Sequence, residues 1–310
     1  MSLRLRIATR KSQLAVWQAE HVRDRLQALY PESEVGLLPM SSQGDDMQDV
    51  SLARIGGKGL FIKALEDAML RGEAELAVHS MKDVPARMPE GFALAAVLDR
   101  GDPRDAFVSN RFARFDELPA GARLGTSSQR RAAIACWLRP DLQVSTLRGN
   151  VQTRLRRLDE GRFDAILLAA AGLRRLGLES RITEVLDTTR FLPAIGQGAL
   201  GIEVRADDER LYQRVRALAH ADSEDCLRAE RALNARLGGS CATPLAGYAV
   251  LEGQDGLHLR AFLGLPDGSR VVTDAVRGPR GEAQALGTRL AERMLAHGAD
   301  ELLAQLGADI

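Results

Sequence analysis

Leu3-Arg4-Leu5-Arg6-Ile7-Ala8-Thr9-Arg10-Lys11-Ser12 follows the first two residues of the chain and sets the pattern of its architecture. Residues 3–8 form a short β-rich run. From Ser12 the period changes: Leu14, Trp17, Ala19, Val22, Leu26 and Leu29 fall mostly on one face of a helix over 12–29, and Pro31 ends it. A strand that feeds directly into an amphipathic helix is the repeating step of an α/β architecture.

The step recurs along the first two thirds of the chain. Residues 60–70 read as a helix, 74–79 and 92–98 as strands, and 123–125 as a strand end feeding a helix over 128–138. Residues 142–147 read as a strand, 151–159 as a helix and 165–168 as a buried strand. The alternation predicts largely parallel sheets. Arg100-Gly101-Asp102-Pro103 breaks it as one hinge, and Phe191-Leu192-Pro193 to Gly201 as a second, after which a strand over 200–204 returns to the first unit. Beyond Ala221 the character changes. A helix over 224–237 precedes three antiparallel-looking strands at 245–251, 257–265 and 270–276, and a helix over 282–295 closes an α+β unit. The expected division is 1–99 with 200–217, then 104–193, then 221–310.

Composition agrees. The chain has 310 residues, 45% of them hydrophobic, which exceeds the ~250–300 residues one core usually organises. Its 42 basic and 42 acidic residues balance, so a net-basic nucleic-acid binder is not suggested. The most apolar run, 165–173, is about half the ~20 residues of a membrane span, and the N-terminus has no apolar signal region. The three cysteines, Cys136, Cys226 and Cys241, form no spaced framework. A cytoplasmic protein without disulfides is expected.

Chemistry concentrates where strands hand over to helices. In open α/β sheets ligands bind beyond the carboxyl ends of strands, and helix starts attract anions. Four junctions carry cations and hydroxyls: Thr9-Arg10-Lys11-Ser12, His79-Ser80-Met81-Lys82-Asp83, Gly125-Thr126-Ser127-Ser128-Gln129-Arg130-Arg131, and Arg148-Gly149-Asn150 with Thr153 and Arg154. Each arginine offers a planar fork that grips a carboxylate. A Ser or Thr at a helix start also serves simply as a cap, but capping does not call for Arg or Lys every time. The set predicts a cleft for a ligand with many negative groups. Asp83 within it either stabilises a developing cation or pairs with a neighbouring base.

Cys136 lies on an apolar helix face and Cys226 in the long helix, so both read as core. Cys241 lies in Gly238-Gly239-Ser240-Cys241-Ala242-Thr243-Pro244, a turn where a cysteine can be an attachment point or nucleophile. Gly56-Gly57-Lys58-Gly59 lacks the ending of a phosphate loop, and the five histidines lack metal spacing.

At these residues the sequence resembles the porphobilinogen deaminase family. The resemblance rests on Ile7-Ala8-Thr9-Arg10-Lys11-Ser12, Gly57-Lys58-Gly59-Leu60-Phe61, Val78 to Pro85, Gly125 to Ser128 with Arg130-Arg131, Arg148-Gly149-Asn150-Val151 and Gly196-Gln197-Gly198-Ala199-Leu200, six blocks in order. It implies two α/β domains of type II periplasmic-binding-protein topology with hinges, plus a smaller α+β C-terminal domain. It implies a dipyrromethane cofactor in thioether linkage to Cys241, and a transferase that condenses four porphobilinogens head to tail with loss of ammonia, after which water releases hydroxymethylbilane. Asp83, Lys82, Arg10 and Gln197 match the catalytic set. Ser80, Lys82, Asp83, Thr126, Ser127, Ser128, Arg130, Arg131, Arg148 and Gly149 match cofactor contacts. Arg10, Ser12, Gln18, Arg148, Asn150, Arg154, Arg175, Phe61 and Lys58 match substrate contacts. The family usually has Gly before the cysteine and Gln-Val-Pro after it, where this chain has Ser240 and Ala242-Thr243-Pro244. The resemblance further implies a cytoplasmic monomer that hands its product to uroporphyrinogen-III synthase and uses no metal, nucleic acid or membrane.

A binding module for an organic anion fits two hinged α/β units equally well. Cys241 in a third unit and the N-terminus without a signal region weigh against it. A nucleotide-binding transferase lacks its glycine motifs.

Overall fold

The computed structural model describes residues 4–41, 60–240 and 242–308; of residues 60, 61 and 308 the backbone alone is described. In chain order the elements are β1 (Arg4–Arg10), α1 (Gln13–Leu29), β2 (Glu34–Met40), α2 (Leu60–Leu70), β3 (Leu76–Ser80), β4 (Phe92–Val97), β5 (Asp105–Val108) and β6 (Arg123–Gly125). There follow α3 (Gln129–Leu138), β7 (Gln143–Ser145), α4 (Val151–Asp159), β8 (Ala165–Ala169), α5 (Ala170–Arg175), β9 (Glu184–Val185) and β10 (Leu200–Arg205). The last elements are α6 (Glu209–Arg216), α7 (Ala221–Leu237), β11 (Leu245–Glu252), β12 (Gly256–Gly264), β13 (Val271–Pro279), α8 (Ala283–Met294) and α9 (Asp300–Ala308).

Contacts divide the chain into two compact units, residues 1–101 with 199–224, and residues 102–198 with 225–310. In the first, the sheet order is β2-β1-β3-β10-β4. β1 pairs parallel with β2 and β3, while β10 runs antiparallel to β3 and β4, so the returning strand opposes the other four. Successive strand residues point to opposite faces, and the core follows that rule. Leu5 and Ile7 pack with Ala19, Val22 and Leu26 of α1, whereas Ala8 packs with Leu65 and Met69 of α2. A fully buried Leu or Ile contributes about 1.5–3 kcal/mol; Leu5 and Ile7 supply this on the α1 face of β1, and Ala8 is buried on the other face.

The second unit repeats the plan with different connectivity. Its five-stranded sheet has the order β7-β6-β8-β5-β9, with β5 antiparallel to β8 and β9 and the β6 pairs parallel. β5 occupies in this sheet the place β10 takes in the other. Each is the first strand after a crossing segment, and each runs against its four companions. This is the type II arrangement in both α/β sheets. The expectation of largely parallel strands holds for four strands in each, and the crossing strand makes each sheet mixed.

The same unit holds the antiparallel sheet β11-β12-β13. One face packs on Leu233 of α7, Leu286 and Leu290 of α8 and Leu302 of α9. The other presents Ala246 and Phe262 to the cluster that contains Phe107, Leu124 and Ile134, and Phe262 meets Trp137 with ring centroids 5.7 Å apart. Gly268, at φ +72°, passes against the backbone of Cys136 and Trp137 so closely that a Cβ would collide with both. Cys136 is accordingly half-buried rather than core, and Cys226 is buried as expected.

Candidate active site

In the first unit, the carboxyl ends of β1 and β3 lie side by side. Arg10 ends β1, and Ser12 caps α1 with its Oγ accepting the Ala15 amide at 3.3 Å. Gln18, buried on the inner face of α1, donates from Nε2 to Ser80 Oγ at 2.8 Å. Ser80 ends β3 and leads into a short 3-10 turn, Met81–Asp83. Two features fix this turn: the Met81 amide donates to the Ala199 carbonyl, and the buried Met81 side chain fills the space left by the missing Cβ of Gly201. Asp83 therefore stands exposed on a rigid support. Arg10, Ser12, Gln18, Ser80 and Asp83 line one pocket of about 90 Å³, floored by residues of α2 such as Leu65. Lys82 sits on the same turn outside that lining.

The second unit builds its strand ends from arginines. Thr126 Oγ1 accepts the Ser128 amide at 3.2 Å, and Ser128 Oγ accepts the Arg131 amide as the cap of α3. Ser127 between them is exposed. Asn150 caps α4 by accepting the Thr153 amide at 2.9 Å. Gly149, before it, has φ +107°, and a Cβ there would lie 2.9 Å from Thr153 Cβ, so only glycine suits this turn. Its carbonyl accepts from Arg154 Nε at 2.8 Å, and the Arg148 carbonyl accepts from Arg157. Arg175 donates to the Gly198 carbonyl at 2.6 Å.

Burial gives these cations their character. It pushes the Arg154 guanidinium down to about 10, with Arg131 and Arg157 adding like-charge repulsion, and pushes Arg175 down to about 10 as well. Among the described residues Arg154 has no carboxylate partner. A dehydrated, repelled cation of this kind gains most when an anion arrives.

Arg130 and Arg131 are placed otherwise than a reading of open carboxylate forks suggests. Both are buried and converge on Asp105, Arg130 Nη1 at 2.8 Å from Oδ2 and Arg131 Nε at 3.0 Å from Oδ1. Arg130 also donates to the Leu192 carbonyl, and Arg131 to the Leu167 carbonyl. Gln197 completes the set through Nε2, which donates to Asp105 Oδ1 and to the Pro103 carbonyl. Asp105 is the residue that sequence reasoning missed. Its signal is a carboxylate at the head of Ala106-Phe107-Val108, a strand with no exposed position. Lys58 and Cys241 lie outside the described residues, as does the Phe61 side chain.

The comparisons with known proteins meet this geometry. Residues 5–213 match the family model described as porphobilinogen deaminase, dipyromethane cofactor binding domain, and residues 225–296 match that of the porphobilinogen deaminase C-terminal domain. The chain belongs to the porphobilinogen deaminase family. Like its family, the chain is a transferase of tetrapyrrole biosynthesis that condenses porphobilinogen and carries a dipyrromethane cofactor. Among solved structures it is similar to a TRAP periplasmic solute binding protein from Desulfovibrio salexigens, at 11% identity over 72% of this chain and 74% of that one, with a TM-score of 0.45. A periplasmic substrate-binding protein of an ABC transporter from Coxiella burnetii matches at 15% identity over 69% and 91%, with a TM-score of 0.44. A nutrient binding protein from Burkholderia cenocepacia bound to methionine matches at 13% identity over 68% and 89%, with a TM-score of 0.43. No helix among the described residues is long and apolar enough to cross a membrane.

The residues present fit a pyrrole chain that bears carboxylates. The second unit offers dehydrated arginines and the glycine turn at Gly149, and the first offers a carboxylate, Asp83, in a pocket otherwise lined by apolar residues, polar side chains and Arg10.

Proposed function

We propose that this protein carries out its reaction at Asp83 and handles its growing product through the strand-end arginines. The reading rests on one observation: Asp83 and Arg10 line the same small pocket, at the ends of adjacent parallel strands. When bound through a thioether to Cys241, the dipyrromethane supplies the pyrrole carbon to which substrate is joined.

Every other role falls to the chain. Arg10 and Ser12 bind a substrate carboxylate, Arg10 through its planar fork. Asp83 accepts the pyrrole N–H and lowers the energy of the positive charge that spreads over the substrate ring as ammonia leaves, a contribution larger in the transition state than in the ground state. Lys82 borders the same turn, and Gln18 holds Ser80 in place. In the second unit Thr126, Ser127, Ser128, Arg148, Asn150, Arg154 and Arg175 bind propionate and acetate groups, while Arg130, Arg131 and Gln197 act through Asp105. Phe61 and Lys58 belong to the substrate set by their place in the sequence.

The proposed domains are 1–99 with 200–217, 104–193, and 221–310, the last carrying the cofactor. The proposed setting is a cytoplasmic monomer whose product passes to uroporphyrinogen-III synthase.

Intact-protein mass tests the anchor. The purified chain is expected to exceed its sequence mass by two pyrrole units, and Cys241→Ser to lose that excess. Asp83→Asn tests the chemistry: it is expected to keep the mass excess and substrate binding while turnover drops about 100-fold or more, the usual size of a lost charge-stabilising group. Near-normal turnover in Asp83→Asn removes it from the chemistry.

A further inference from the structure

Beneath the pocket of the first unit lies a charged cluster that the reaction just described does not use. His79 precedes Ser80 in β3, and Glu203 is on β10, where it stands opposite Ala77 while His79 stands opposite Gly201. Cross-strand partners share a face, so His79 and Glu203 project to the same side of the sheet, the side covered by α2. His79 Nε2 and Glu203 Oε2 are 2.7 Å apart, and both residues are buried. From α2, Glu66 joins them as a buried carboxyl close enough to Glu203 for each to oppose the other's charge.

Two neighbouring buried carboxyls cannot both be ionised in a dry site without a large penalty. Glu66 Oε1 and Glu203 Oε1 are each buried with no hydrogen-bond donor among the described residues. One proton between them satisfies both at once. The groups that act on Glu66 are consistent with this. Glu203 comes from β10, His79 from β3 and Asp67 from its own helix. β1 presents Ala8 and, at its end in the pocket lining, Arg10. Burial first, then Glu203, pushes Glu66 up to about 7.

The remaining nitrogen of His79 completes the picture. Its Nε2 is committed to Glu203, its Nδ1 has no protein partner among the described residues, and His79 itself lines the pocket with Ser80 and Asp83. A carboxylate on one ring nitrogen fixes the tautomer and leaves the other as an acceptor.

We infer that Glu66, Glu203 and His79 form one positioning unit in which the two carboxyls share a single proton, and that this unit holds His79 as the Nε2–H tautomer with an acceptor Nδ1 toward the pocket. Its part in turnover rests on the reading of Asp83 and Arg10 above, whereas its proton does not. A cluster held by ionised carboxyls alone loses stability at either position, in Glu66→Gln and in Glu203→Leu. The shared proton makes them opposite. Glutamine at 66 keeps a donor toward the Glu203 carboxylate. Leucine at 203 takes away the acceptor that orients His79.

The test uses the full-length protein carrying its primer. Glu66→Gln is expected to match the wild-type melting temperature at about pH 4 and to exceed it at about pH 8. The reason is that a carboxyl kept neutral in the fold costs stability as pH rises from its unfolded value of about 4 to its raised value in the fold. Glu203→Leu is expected to melt lower at both pH values and to lose roughly tenfold in kcat with KM changed by less than about twofold. Nitrogen-15 spectra of the wild-type ring, assigned by their loss in His79→Gln, should show Nε2–H and bare Nδ1 at about pH 8. A Glu66→Gln variant that melts below wild type at both pH values, or an Nδ1–H tautomer or imidazolium at that pH, overturns the inference. The melting and spectral readouts need no substrate, so a failure of the Asp83 reading leaves them unchanged and is told apart.

Discussion

Gln197 donates to Asp105 Oδ1 at 2.8 Å and, with the same amide, to the Pro103 carbonyl, so the segment leading back to the first sheet is pinned to the segment that left it. Asp105 is at once the counter-ion of Arg130 and Arg131. A single buried carboxylate thus ties two chain crossings to the start of α3. Two forks and an amide around one carboxylate leave little freedom to any of them.

Asp105→Asn is expected to destabilise the fold by about 3 kcal/mol, because two buried guanidiniums lose their counter-charge. Burial alone would raise the Asp105 carboxyl, but Arg130 and Arg131 outweigh it and hold the group well below the usual carboxylate range. Its proton is therefore released more readily in the fold than in the unfolded chain. The stabilisation is present above the unfolded carboxylate value of about 4 and drains away as pH falls below it. Urea unfolding at about pH 7 and about pH 3 checks this. The gap between wild type and variant should narrow on acidification, and a gap of constant size refutes the assignment.

Arg154→Met separates binding from stability. Arg154 is dehydrated and repelled by Arg131 and Arg157, and its replacement by an apolar chain of similar length removes both costs. The melting temperature should hold or rise slightly. Loss of a charged hydrogen bond to ligand costs about 1.5–3 kcal/mol, so KM for porphobilinogen should rise by roughly tenfold or more. A lower melting temperature with unchanged KM would make Arg154 a structural residue.

Much of this was legible in the sequence because strand ends in α/β sheets announce themselves. The helix over 60–70 and the strand at 123–125 match the observed limits, and Ser12, Ser128 and Asn150 all cap the helices they precede. β5 and β9 escaped, being four and two residues long, too short to show a period. β2 and α6 also escaped: Pro39 interrupts the first, and the apolar residues of the second reduce to Leu211, Tyr212 and Val215. The roles of Arg130 and Arg131 could not be read, because the choice between a ligand carboxylate and Asp105 depends on a strand 25 residues away in sequence. Glu203 looked like any charge in a strand. Only pairing with β3 shows that it faces His79 rather than solvent.

Gly149→Ala should act through backbone geometry alone. At φ +107° a Cβ is strained, and Thr153 leaves it no room. Left-handed strain costs about 1–3 kcal/mol, and the relaxation available is to turn the Arg148–Asn150 loop. That movement would carry away the carbonyl that Arg154 grips and the cap of α4. The expected outcome is a raised KM and weaker α4 protection in hydrogen exchange, with turnover at saturating substrate less affected. Normal KM in a destabilised variant would detach this turn from binding.

Glu230→Gln probes the second crossing from its other side. Glu230 is wholly buried, and its two oxygens accept from the Gly196 amide at 2.7 Å and the Ala249 amide at 2.9 Å. It therefore fastens the residue before Gln197 to β11. Glutamine offers one acceptor oxygen, so one of those amides must lose its partner, at about 1–3 kcal/mol. Loosening at Gly196 passes directly to Gln197 and to its bonds with Asp105 and Pro103. Hydrogen exchange should quicken at Gly196 or Ala249, the melting temperature should fall, and turnover should drop even though Glu230 sits on α7, remote in sequence from the strand ends. Unchanged protection at both amides would show that the crossing is held by other contacts.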